Sequence, residues 1–295
     1  MQDVYTLCEL AGPLTIDERV ELENMLSREC VSSLPALFTL AAIRGELRES
    51  RLECTCILRN KHDQILTVIA LIYAPYGNFI EINTRSLGKR CLDILNIIVK
   101  IVRNLTLNYE VNTIFVDNAR IVDMLVQELP LDRYCVLIPL VLDLEDHSNE
   151  EIDLGKEIIN HDSYRIDILD ESYHQQVQFL MSMWSQFHVK VSLYTLKHGI
   201  PLGAFHREKL VGYLSTYVTL PECWLLASLF VHPDHRRRGI GSKLLHSMIK
   251  LANGKTKRLV AAVDLLNIDA RRFYLRHRFK PIYRAQHSLT LRPPF

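Results

Sequence analysis

Hydrophobic positions along the first 142 residues change period in a regular order. Residues 15–30 keep helical spacing, with Leu22, Met25 and Leu26 on one side. Residues 52–58 and 65–73 are apolar runs on either side of the polar turn 59–64, which predicts a hairpin, and Phe79, Ile80 and Ile82 predict a third strand. The period then lengthens into a strongly apolar helix at 92–102, followed by a strand at 112–116, a helix at 119–127 and a strand at 134–142.

The same order returns in the second half. Residues 202–205 and 210–218 flank the turn 206–209; then come a strand at 224–231, a helix at 241–252, a strand at 258–263, a helix at 268–277 and a strand at 282–291. Both halves read strand, strand, strand, helix, strand, helix, strand, the alternation of an α/β protein. We read the chain as a tandem, diverged duplication. The second half opens with a strand at 164–169. Asp170 is placed to cap a helix whose Val177, Leu180, Met181 and Trp184 fall at i, i+3, i+4 and i+7, a stripe that belongs to a core more often than to a cofactor site. Helical spacing continues through 191–197 until Gly199, Ile200 and Pro201 end it. Between the halves, residues 142–160 hold Asp143, Glu145, Asp146, Glu150, Glu151 and Asp153, a polar connector.

Chemistry concentrates in residues 229–245, LFVHPDHRRRGIGSKLL. A strand breaks at Pro233, passes three arginines and two glycines, and opens a helix near Ser242. Gly239 and Gly241 permit a tight turn and close backbone approach. The first amides of the next helix have no intrahelical acceptor and point at an anion. Arg236, Arg237 and Arg238 add fixed charge and forked donors. A diphosphate satisfies all of these at once, whereas a solvated basic face explains only the arginines. The Walker A loop is excluded because Gly241-Ser242-Lys243 is preceded by Arg236 where its first glycine would stand, and the dinucleotide fingerprint lacks its third glycine. The turn of the first half, 84–90, holds the single glycine Gly88, so its grip on a diphosphate is expected to be poor.

Val231-x-Pro233-x-x-Arg236-x-x-Gly239-x-Gly241 resembles motif A of the GNAT superfamily of acyl-CoA-dependent N-acyltransferases. Asn267-x-x-Ala270-x-x-Phe273-Tyr274, with Phe279 and Pro281, resembles its motif B. The layout around Trp184 and 199–203 is similar to the glycine N-acyltransferase-like branch. The resemblance implies an α/β chain of two tandem GNAT-like domains, each a mixed sheet flanked by helices: a degenerate domain at 1–145, an acidic connector at 146–163 and the acyl-CoA domain at 164–295. It implies transfer of an acetyl or other acyl group from coenzyme A to a small-molecule amine or amino acid such as glycine, without a metal.

Residue by residue, Phe230 and Val231 would meet the pantetheine arm, and Arg236, Arg237, Arg238, Gly239, Ile240, Gly241 and Ser242 would hold the pyrophosphate. Asn267 would bond a pantetheine amide or cap the helix behind it. Tyr274 would give a proton to the departing thiolate, or serve as a core aromatic. The branch's glutamate, eight residues before the motif's proline, is replaced by Leu225. Glu222 is therefore the candidate base, with His206, His232 and His235 as alternatives. Arg278 stands where the family has a glycine of positive φ. These departures motivate a second reading, an acyl-CoA-binding pseudoenzyme or interaction module.

Charge and cysteine usage narrow the picture. The net charge is +1. Residues 232–284, however, hold fourteen Lys and Arg against three acids, a distribution suited to steering an anionic cosubstrate. A nucleic-acid interface is disfavoured because no aromatic series interleaves these cations. Seven scattered cysteines make no disulfide framework. With no secretory pattern at 1–12 and no run near a membrane-span length, the cytoplasm or mitochondrial matrix is expected. A monomer or weak dimer without nucleic-acid or membrane partners is expected.

Overall fold

The computed structural model describes residues 6–7, 14–29, 34–46, 49–60, 62, 64–84, 92–144, 164–282 and 286–292; the Gly88 turn and the acidic connector 146–163 lie outside them. In chain order the elements are β1 (Thr6–Leu7), α1 (Ile16–Glu29), α2 (Leu34–Arg44), β2 (Arg51–Arg59), β3 (Ile65–Tyr73), β4 (Asn78–Thr84), α3 (Leu92–Asn108), β5 (Val111–Val116), α4 (Ala119–Glu128) and β6 (Leu131–Asp143). They continue with β7 (Arg165–Ile168), α5 (His174–Ser182), α6 (Gln186–His198), β8 (Ile200–His206), β9 (Lys209–Leu220), β10 (Cys223–Val231), α7 (Ile240–Ala252), β11 (Arg258–Asp264), α8 (Ile268–Arg276), β12 (Lys280–Pro281) and β13 (Gln286–Leu291). No helix among the described residues is long and apolar enough to cross a membrane.

The chain divides into two compact units: Met1–Pro139 with Val263–Phe273 and Pro281–Phe295, and Leu140–Ala262 with Tyr274–Lys280. In the first, the strand order is β1-β2-β3-β4-β5-β13-β6, with β4 and β5 parallel. α1 opens on a capping box: Glu18 N donates to Thr15 Oγ1 at 3.3 Å and Thr15 N donates to the Glu18 carboxylate at 2.9 Å. The core sets Ile98 and Val102 of α3 and Ile121 and Leu125 of α4 against Ile80, Ile82 and Ile114 of the sheet. Burial of this kind stabilises by about 25 cal/mol per Å² of apolar surface. Of the strand expected at 282–291, the described part is β13, Gln286–Leu291, and the short β12 lies just before the expected start. β13 lies between β5 and β6, with Leu289 opposite Ile114 on one side and Tyr134 on the other. This last strand therefore completes the first unit's sheet, and Leu289 and Leu291 join its core.

In the second unit the order is β11-β10-β9-β8-β7, with β10 and β11 parallel and the other pairs antiparallel. Arg207 and Glu208, at φ 47° and 64°, make the two-residue hairpin turn between β8 and β9. α5 and α6 bury Val177, Leu180, Met181, Val189 and Leu196 against Phe205, Tyr213 and Phe230. α7 crosses β9 at Gly212, where an added Cβ would lie 3.1 Å from Ile240 Cγ2 and 3.2 Å from Leu244 Cδ1. That close approach anchors the helix that follows the arginine turn.

Candidate functional site: a strand wedge and an amide nest

β10 carries the site. Its parallel ladder with β11 pairs Cys223–Leu226 with Arg258–Ala261 and stops. β10 itself runs five residues further, and its pairing with β9 continues to Val231 opposite Gly212. A register shift between Leu226 and Ser228 on the β9 side marks a bulge at the same place, and bulges bend the strand they interrupt. Residues 227–231 make no ladder pair with β11, so the two strands part there as a wedge. An extended ligand with its own amides can add to such an edge. The first unit shows the opposite: β4 stays paired with β5 through Ile82 and Val116, and Thr84 N and Oγ1 then donate to Asp117 at 3.1 and 2.7 Å. A carboxylate thus stands where an anion would enter.

Beyond Val231 the chain makes one 3-10 turn, Pro233–His235, before the arginines. Arg237 takes φ 62° and Gly239 φ 75°, and Gly239 is the N-cap of α7. A left-handed residue followed by helical Ile240 turns successive N–H groups into a concavity that receives anions. The helix's first bond runs from Lys243 N to Gly239 O at 3.0 Å, so Ile240, Gly241 and Ser242 supply the amides of its first turn. Holding a non-glycine residue such as Arg237 left-handed costs about 1–2 kcal/mol, a strain that clusters at ligand sites.

The arginines do different work. Arg236 folds back on its own strand: Nε donates to Val231 O at 3.0 Å and the guanidinium lies 5.4 Å from the Phe230 ring centre. Arg238 Nη1 donates to the Tyr164 hydroxyl at 3.3 Å, which lies 3.1 Å from His235 Nδ1. Arginine has only donors, so the hydroxyl accepts from Arg238, and it is also within hydrogen-bond distance of the His235 ring. Burial lowers the His235 pKa, and His206, Arg238 and His232 lower it further while Asp234 opposes them. All three candidate histidines therefore cluster here: the His235 ring centre is 5.3 Å from that of His206 and 5.7 Å from that of His232.

Glu222 stands elsewhere. It sits in the turn before β10, its carbonyl accepting from Lys257 N at 3.3 Å. The wedge begins about 17 Å of strand away, at roughly 3.3 Å per residue. That separation sets Glu222 apart from the wedge, and Leu225, nearer to it, is apolar and buried.

Tyr274 is buried, and desolvation holds its phenol well above the usual value. Its ring meets Phe279 edge-on at 5.1 Å. Around it, Phe279 N donates to Tyr274 O and Arg278 N to Leu275 O, with Arg278 at φ 64°: a Schellman close in which Arg278 takes the left-handed position directly. Asn267 caps α8, accepting from Ala270 N at 3.1 Å, and lies among the residues grouped with the first unit.

One expectation needs correcting. Trp184 does not continue the α5 stripe, because the helix ends at Ser182 and Ser185 starts α6, accepting from His188 N at 3.2 Å. Trp184 is 42% exposed. Its ring stacks on His188 at 3.4 Å and on Phe230 at 5.8 Å. Ser185 and His188 were not singled out from the sequence; the readable signal was a serine cap three residues before a histidine.

Residues 164–279 match the family model described as Acetyltransferase (GNAT) family. The span covers the wedge, the amide nest and Tyr274. A Drosophila protein from a structural genomics programme is similar in structure, with TM-score 0.66 at 13% identity over 96% of this chain and 99% of its own. A tandem GNAT protein from the clavulanic acid biosynthesis pathway gives TM-score 0.60 at 14% identity, over 99% and 100%. A GCN5-related N-acetyltransferase from Sphaerobacter thermophilus gives TM-score 0.60 at 11% identity, over 99% and 97%. At these identities the likeness is one of fold, and it fits a tandem arrangement of two GNAT-like units. No protein of curated function matches the sequence.

Proposed function

Taking a GNAT domain at 164–279 as the premise, we propose that this protein transfers an acyl group from a coenzyme A thioester to a primary amine, and that the second unit does the work. The carrying observation is that the wedge at 227–231 leads directly into the nest opened by Gly239. Pantetheine, an arm with two amides, suits the open edge of β10 beside Phe230 and Val231. The pyrophosphate suits the amides of Ile240, Gly241 and Ser242, with Arg237 and Arg238 adding charge. Arg236 braces the strand end. The first unit, with its strands closed at Thr84 and Asp117, has a structural role.

Acyl transfer needs the thioester held, the amine neutral and a proton for the departing sulfur. Tyr274 is the proton donor in this reading: burial keeps its phenol protonated across the physiological range. The acceptor is a small amine or amino acid, glycine being one candidate. A second reading, binding without turnover, is favoured by apolar Leu225 and by the remoteness of Glu222.

Calorimetric titration of acetyl-CoA and benzoyl-CoA into the wild type and Gly241→Asp tests the site. Binding to the wild type that collapses in the variant is expected, because the new carboxylate occupies the nest and repels phosphate. Equal affinity of the two proteins overturns the assignment. Release of free thiol with a panel of primary amines then separates transfer from mere binding.

A further inference from the structure

Leu225 is apolar, Glu222 is distant, and His206, His232 and His235 gather at the arginine turn rather than along the open strand, so the proposed reaction needs another group to take the proton from the attacking amine. We propose that His188 is that group. The inference rests on the acyl-transfer reading, and four observations place His188.

First, Phe230 lies on the open segment of β10, where the acyl-carrying arm would run. Second, Trp184 stacks on Phe230 with rings 19° from parallel, and His188 stacks on Trp184 at 14°. The imidazole is therefore two stacked rings from the strand that presents the thioester. Third, its orientation is fixed: Ser185 Oγ is 2.6 Å from Nδ1 and also accepts from the His188 backbone N–H. The serine oxygen has two lone pairs, so it can accept from both N–H groups at once. In the tautomer that this reaction uses, Nδ1 donates to Ser185 Oγ and Nε2 is the proton acceptor. A base oriented by a third group is the arrangement of an activated nucleophile pair. Fourth, His188 is half-buried, so it is both held and reachable. Stacking on indole adds to this, since a cation over an aromatic face is favoured and the imidazolium that forms is stabilised. Arg236 also lies over the Phe230 ring, its guanidinium carbon 5.4 Å from the ring centre.

Nε2 takes a proton from the ammonium form of the acceptor, and the neutral nitrogen attacks the thioester carbonyl carbon. The C–N bond forms, the C–S bond breaks, and the sulfur takes a proton from Tyr274. Of the two protons the ammonium loses on becoming an amide, one reaches solvent through His188. The other replaces, by way of solvent, the proton Tyr274 gave to sulfur.

The test compares wild type, His188→Gln, His188→Ala and Ser185→Ala in the full chain, with acetyl-CoA and the amine that gives the most thiol release. General-base catalysis is worth about 10²–10⁴-fold, so His188→Gln should lower kcat by at least ~100-fold. Its acetyl-CoA Kd should stay within about twofold of wild type. Added imidazole should restore turnover to His188→Ala but not to His188→Gln, a response that a packing role would not give. Ser185→Ala, which misaims the base without removing it, should lose less kcat than His188→Gln. Unchanged kcat in His188→Gln, or no imidazole rescue, overturns the role of His188 while leaving the acyl-transfer reading intact. A wild type that binds acetyl-CoA yet releases no thiol with any amine overturns both.

Discussion

Arg278 gives a clean measure of backbone strain at the end of α8. Its φ of 64° lies in the left-handed region, and the two hydrogen bonds of the Schellman close, to Tyr274 O and Leu275 O, hold it there. For an L-residue that conformation costs about 1–2 kcal/mol relative to glycine. Glycine gives back about 0.4–1 kcal/mol through the greater freedom of the unfolded chain. Arg278→Gly should therefore be more stable than Arg278→Ala by about 0.5–1 kcal/mol. The alanine variant is the proper reference, because both substitutions remove the arginine side chain and only one retains the cost of positive φ. Urea unfolding followed by the fluorescence of Trp224 reads the second unit, since that indole is buried on β10 while Trp184 is substantially exposed. At a urea m-value of about 2 kcal/mol/M the midpoint of the glycine variant should lie about 0.3–0.5 M above that of the alanine variant. An alanine variant equal to or more stable than the glycine variant would refute the account.

Two further outcomes follow from buried acids. Glu81 on β4 is fully buried; Thr39 of α2 donates to one carboxylate oxygen, and desolvation, the largest cause, raises its pKa well above the usual value. A raised folded pKa gives stability that is complete below the unfolded value, near pH 4, and is lost as pH rises through the folded value. The loss is about 1.4 kcal/mol per pH unit across that window. Glu81→Gln should abolish that slope and make the first unit more stable than wild type at pH 8, as read by thermal unfolding across pH; a variant with the wild-type slope sinks the idea. Tyr274→Phe should lower thiol release by at least ~100-fold while acetyl-CoA affinity, measured by calorimetry, stays within about twofold; full activity in the variant would return Tyr274 to the core.

The reading of the sequence succeeded where one physical signal dominated. β3 runs over Ile65–Tyr73 as its apolar pattern predicts, and the turn before α7 follows its proline, arginines and glycines. It missed α2, whose apolar run has no polar face to set a helical period; its Pro35 sits in the first turn, where proline is tolerated. α3 runs to Asn108, beyond the expected 102, because its last turns are polar; Thr106 and Asn108 satisfy themselves by donating to Arg103 O and Asn104 O. Trp184 matched the helical count but left the helix, since Ser182 donates to Phe179 O and Ser185 begins a new cap. The place of β13 could not be read at all: its alternation sets which face is buried, not which neighbours it pairs with. The position of Glu222 is a related case. Sequence distance put Glu222 close to the motif, and an extended strand turned that closeness into separation.

The position of β13 bears on how the chain comes off the ribosome. β5 and β6 are complete by residue 143, yet the strand that joins them is not synthesised until residues 286–291. Vectorial folding is thereby inverted: the half made first must wait, with two strand edges open, for the half made last. During that interval the nascent first unit offers those edges to any other strand, which makes it the natural client of a chaperone. A protease cut between the halves would not release two independent proteins, because the C-terminal piece carries away a strand that the N-terminal piece needs.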